Sequence, residues 1–114
     1  MRRFGNLSVV VLMIALACAS SGYPAASARY DAESRAYQGA YDKLVHAKAT
    51  GALTHAQDAE ASHIVGEVKG ADALTFADLS AWKSSGKEPA DYAAHAQTLR
   101  DAQAKLIQLA AEVH

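Results

Sequence analysis

"LTHAQDAEASHIVGEVKGADALTFADLSAWKSSG", residues 53–86, decides how many helices this chain has. Two openings inside it look alike, Leu53-Thr54-His55-Ala56-Gln57 and Leu74-Thr75-Phe76-Ala77-Asp78, about 21 residues apart. In each, a threonine is followed three residues later by a side chain that can reach back to the threonine's amide, the arrangement of a capping box at a helix start. Leu74 and Leu79 add the spacing of a hydrophobic staple to the second opening. Between the two, Ala61, Ile64, Val65 and Val68 form an apolar stripe at helical spacing, and Gly70 stands where a helix would stop. The expectation is therefore two helices, one opened by Thr54 and one by Thr75, the second carrying a heavy apolar face of Phe76, Leu79 and Trp82. One capping chemistry used twice accounts for the likeness without an internal repeat.

The flanking segments extend this pattern. Upstream, "RYDAESRAYQGAYDKLVHAKATG", residues 29–51, sets Tyr30, Tyr37, Tyr41, Leu44 and Val45 on one helical face, pairs Asp31 with Arg35 four residues on, and ends at Gly51, a suitable C-terminal cap. Residues 30–50 read as the first helix. Downstream, "SSGKEPADYAAHAQTLRDAQAKLIQLAAEVH", residues 84–114, places Pro89 where a first turn tolerates it and then runs without a breaker. Tyr92, Leu99, Leu106 and Val113 are spaced by seven, with His95, Ala102 and Leu109 on the matching second seam. No segment alternates as a strand does. The fold class expected is all-α, a small bundle of three to four helices in a single domain covering residues 29–114.

Ahead of that domain, "MRRFGN" leads into an apolar run over residues 7–17 in which Ser8 is the one polar residue. This is the order of a secretory signal peptide. The run spans about 16 Å as a helix, roughly half the hydrocarbon core of a bilayer, which disfavours a permanent anchor. Two triplets offer the small residues that signal peptidase requires: Ala17-Cys18-Ala19, which would release Ser20, and Ala26-Ser27-Ala28, which would release Arg29. Pro24 ends the apolar helix ahead of the second triplet, so residues 1–28 are read as the signal peptide and the protein as periplasmic or secreted. The alternative is a lipoprotein acylated on Cys18 and membrane-attached by that route alone. Its lipobox is out of register by one, with Ala15 and Leu16 in the two places that normally hold a leucine and a small residue. Cys18 is the only cysteine, so no disulfide framework is expected.

From Arg29 onward nine lysines and arginines face twelve acids, a net charge of −3 that is well mixed along the chain. No basic stripe exists to hold nucleic acid. Alanine supplies much of the apolar composition, so each buried position removes little surface from water, and a domain of this size is marginal without help from helix propensity or association.

Chemistry-bearing groups are few. Glu60, His63 and Glu67 fall on one helix face and form half of a carboxylate-bridged metal motif whose second copy the chain lacks; they are the candidate metal ligands. His95 on the apolar seam reads as a core or rim histidine. Haem is not expected, with no C-x-x-C-H motif and no methionine after residue 13, and no cofactor is assigned. There is no G-x-S-x-G elbow, no H-E-x-x-H and no glycine-rich phosphate loop, so the chain is not read as an enzyme. Tyr30, Tyr37 and Tyr41 fit a core or interface face, with a ligand pocket as the second reading. Phe76, Leu79 and Trp82 are the candidate contact with a protein partner or with a second copy of the chain.

Leu53-Thr54-His55-Ala56-Gln57 also resembles the L-T-x-x-Q element of the all-helical periplasmic stress chaperones and the related metal-responsive periplasmic sensors. That resemblance implies a holding role for unfolded clients on an apolar cradle. The second copy, residues 74–78, carries Asp78 in place of the glutamine, and the basic, methionine-rich character of many such chaperones is missing. The function expected is a non-catalytic protein-binding or envelope-associated module, with a metal-binding or chaperone-like helical protein as the alternative.

Overall fold

The computed structural model describes residues 2–113, with side chains from Gly22 to Val113. Cys18 and the triplet around it lie outside the described side chains. The described residues form three α-helices and no strand: α1 Arg2–Ala49, α2 His55–Ser85 and α3 Tyr92–Ala111. Among them no helix is long and apolar enough to cross a membrane. α1 is broken at Gly22, whose φ of 46° and ψ of −125° are not helical, and Pro24 follows within the first turn beyond the break, where its missing N–H costs nothing.

Both corners of the chain are closed by backbone chemistry. α1 ends in a Schellman motif: Gly51 takes a φ of 79°, its N–H donates to the Lys48 carbonyl, and the Ala52 N–H donates to the Ala47 carbonyl at 2.8 Å. Three residues later α2 opens on Thr54, whose hydroxyl accepts from the Gln57 N–H at 3.1 Å, while the Gln57 side chain accepts from the Thr54 N–H at 2.9 Å. At the other end of α2, Gly86 with a φ of 73° donates to the Trp82 carbonyl. The short turn over Pro89 and Asp91 then leads into α3, with the Tyr92 N–H donating to the Pro89 carbonyl.

The chain goes up, down and up again. Tyr30 reaches Asp72 and Lys48 reaches Asp58, which makes α1 antiparallel to α2; Trp82 meets Tyr92 and Glu67 meets Lys105, which makes α3 antiparallel to α2. α3 is the central element that both others pack on, and α1 and α2 touch each other over a much shorter stretch. Its seam carries the core, with Leu99, Leu106, Leu109 and Val113 buried against Leu44 of α1 and Ile64 and Val68 of α2. A second, smaller cluster closes the other end, where Ala26, Leu79 and Trp82 pack with Tyr23, Tyr30 and Tyr92.

The expected helix boundary at Gly70 and the cap at Thr75 are not there. α2 runs through both without interruption. Thr75 is 1% exposed, and its hydroxyl donates to the Ala71 carbonyl one turn back at 2.8 Å, so it is satisfied inside the helix and caps nothing. The reason lies in packing. Ala61, Ile64, Val68, Ala71, Thr75, Leu79 and Trp82 are all buried at steps of three and four, so one stripe passes across Gly70 and stays on α3. A helical glycine costs about 1 kcal/mol relative to alanine, less than losing half of that stripe.

Candidate functional site

Because α1 and α2 each lean on α3 but diverge from one another, an open groove runs between them. It has two connected stretches of 410 Å³ and 380 Å³, which share Tyr41, Val65 and Lys69. Tyr37, Tyr41 and Val45 form the α1 wall, Val65, Gly66 and Lys69 form the α2 wall, and Leu106 and Gln103 of α3 make the floor. The α1 residues are there because the tyrosines stand at the edge of that helix's buried stripe: Ala40, Leu44 and Ala47 face α3, while Tyr41 and Val45 turn outward and stay exposed. Tyr37 and Tyr41 lie with ring centroids 6.3 Å apart. Opposite them Gly66 has open space where a Cβ would be, which leaves the α2 wall low.

Two pairs of polar groups close the ends of the groove. At its corner end Lys48 lies 3.2 Å from Asp58. At the far end the Tyr30 hydroxyl donates to Asp72 at 2.6 Å, and burial, together with that bond and the carboxylate's charge, pushes the Tyr30 pKa up to about 12. Burial also raises the pKa of Tyr37, helped by Tyr41 and Asp72 nearby. Lys69, on the wall of both stretches, has no ion-pair partner among the described residues. The site therefore mixes aromatic and aliphatic side chains with polar ones, ties one tyrosine hydroxyl to a carboxylate at its far end, and holds halfway along a lysine with no ion-pair partner among the described residues.

The residues singled out from the sequence are distributed differently. Phe76 is 58% exposed and tilts against Tyr30 with centroids 6.4 Å apart, so it extends the groove past its Asp72 end. Leu79 and Trp82, expected beside it on a contact face, are instead buried. The indole is held edge-on by Tyr92 at 5.2 Å and Tyr23 at 6.2 Å, two rings that pack it into the end of the bundle. On the outer face of α2, His63 lies 3.8 Å from one Glu67 oxygen, and Lys105 lies 3.5 Å from the other. Among the described residues no group of three or more metal-ligating side chains converges, and Glu60 is not drawn into the His63–Glu67 pair. His95 donates from Nδ1 to Asp78 at 2.6 Å, tying α3 to α2; Asp78 thus serves a cross-helix bond where the sequence suggested a cap.

Lys69, Val65 and Gly66 were not visible as site residues in the sequence. The available signal was a lysine and a glycine flanking an otherwise apolar helical stripe, a pattern that only the position of α1 turns into a groove. Set against known protein families, characterised proteins and solved structures, the chain matches none of them.

Proposed function

We propose that this chain is a small exported helical protein that works by binding rather than by catalysis, holding an apolar segment of a partner protein in the groove between α1 and α2. The observation that carries this reading is the groove itself, an open channel where Tyr37, Tyr41, Val45 and Val65 stand among polar side chains, with Lys69 at its midpoint free of any ion pair among the described residues. Clefts of a few hundred Å³ that combine apolar and aromatic side chains with polar groups able to fix orientation are the usual form of a ligand site. Aromatic side chains give such a site large contact area at small entropic cost, and Lys69 selects for an acidic side chain on the segment. The exposed ring of Phe76 continues the contact beyond Tyr30.

The test starts from a displayed library of random peptides selected on the full domain. Peptides recovered should be apolar with one acidic residue. Their affinity should fall at least about tenfold, some 1.4 kcal/mol, on Gly66→Leu, which fills the groove, and on Lys69→Glu, which reverses its charge. Affinity untouched by both changes, in variants that melt like the parent, refutes the assignment. If sedimentation instead finds a dimer that Gly66→Leu dissolves, the occupant is a second copy of the chain.

A further inference from the structure

We propose that residues 23–28 belong to the mature, folded domain, and that export processing cuts upstream of Gly22, at the Ala17-Cys18-Ala19 triplet, instead of after Ala28. The proposal rests on the export reading above and concerns where the leader ends.

Three features of the fold converge on Gly22 as the boundary. The inward face of α1 does not begin at Arg29. Tyr23, Ala26, Tyr30, Tyr37, Ala40, Leu44 and Ala47 continue it at steps of three, four, seven, three, four and three, with Ala26 buried as fully as Ala40. A leader that is cut away has no need to keep the register of the domain behind it. Second, the cluster around Trp82 is completed by this segment. Tyr23 supplies one of the indole's two aromatic neighbours and Ala26 packs beside Leu79. Removing residues 23–28 would strip one side from the bundle's only tryptophan, in a domain whose core is otherwise mostly alanine and leucine. Third, the helix break falls at Gly22 itself, whose backbone faces the indole: a Cβ built there would stand 3.8 Å from Trp82 Cζ2. With a φ of 46° at Gly22 and Pro24 in the following turn, the chain has a turn residue and a helix starter in the order that opens a helix.

The experiment is intact-mass measurement of the protein exported by a Gram-negative host expressing the full precursor, alongside the Ala28→Tyr precursor. Position 28 is exposed, so the variant should fold, but a tyrosine there blocks any cut after residue 28. The expected N-terminus is Ser20, or an acylated Cys18, either of which retains the segment, with Ala28→Tyr processed at the same bond. An N-terminus at Arg29, or loss of processing in Ala28→Tyr, overturns the boundary and leaves the export reading standing. A chain that stays unprocessed in the cytoplasm overturns both.

Discussion

Replacing Gly70 with alanine tests whether residues 55–85 are one helix or two, because the two arrangements predict opposite signs. In the structure Gly70 lies mid-helix, is not among the glycines with positive φ, and has nothing within 4 Å of the place where a Cβ would go. Alanine then adds no clash, and it removes the excess backbone freedom that glycine has in the unfolded chain. Stability should rise by about 0.5 to 1 kcal/mol. For a domain of this size a change of 1 kcal/mol moves Tm by about 4 to 8 °C, so a gain of about 2 to 8 °C is expected in a circular-dichroism melt. Were Gly70 the left-handed residue that ends one helix, alanine would be strained there and Tm would fall by a similar amount. Thr75→Val is the companion. Its hydroxyl only doubles a bond on an Ala71 carbonyl already inside the helix, so losing it should cost less than the ~1 kcal/mol that Thr54→Ala removes at a true cap. A lower Tm for Gly70→Ala, or equal losses at Thr75 and Thr54, refutes the continuous helix.

Trp82→Ala should cost about 3 to 5 kcal/mol, since it empties a buried site between two aromatic rings, and in a marginal domain that leaves a large unfolded fraction visible as lost helix signal. Retention of the parent melting curve would remove the assignment of Trp82 to the core. The raised pKa of Tyr30 makes stability fall at alkaline pH: below pH 10 the phenol is protonated in both states, while from pH 10 up to about 12 the unfolded chain gives up this proton and the folded one keeps it. Urea titrations between pH 9 and 12 should show that decline, and Tyr30→Phe should make it shallower, Tyr37 and Tyr92, whose pKa values burial also raises, keeping the remainder; an equal slope in both proteins rejects the raised pKa of Tyr30.

The helical class, the cap at Thr54, the stop at Gly51 and the α3 seam were legible in the sequence because each is set by local chemistry or strict spacing. Leu99 and Leu106 are 1% and 0% exposed, as a run of sevens requires. Thr75 was not legible, because Thr-x-x-Asp satisfies the same short-range rule as Thr54 and only the stripe's continuity over Gly70 tells them apart. The burial of Trp82 was not legible for a related reason: it rests on Tyr92 and on Tyr23, and Tyr23 lies ahead of the domain boundary expected at residue 29. The groove could not be read at all from one helix at a time. It arises where two helices fail to meet, and sequence periodicity reports only where they do.

Seen as a mechanical part, α1 beyond Gly22 is a beam about 40 Å long, clamped at both ends. One clamp is the corner of the Gly51 turn and the Thr54 box; the other is Tyr23 and Ala26 pressed on Trp82, with Tyr30 tied to Asp72. The slot beside it is thus braced at its two ends. Under the proposed binding role, selectivity would follow from girth: a segment that fits would enter without reorganising the protein, and one that is too broad would be excluded. Releasing either clamp would leave that end of α1 free to swing, and under the proposed role the groove would lose its fixed width there.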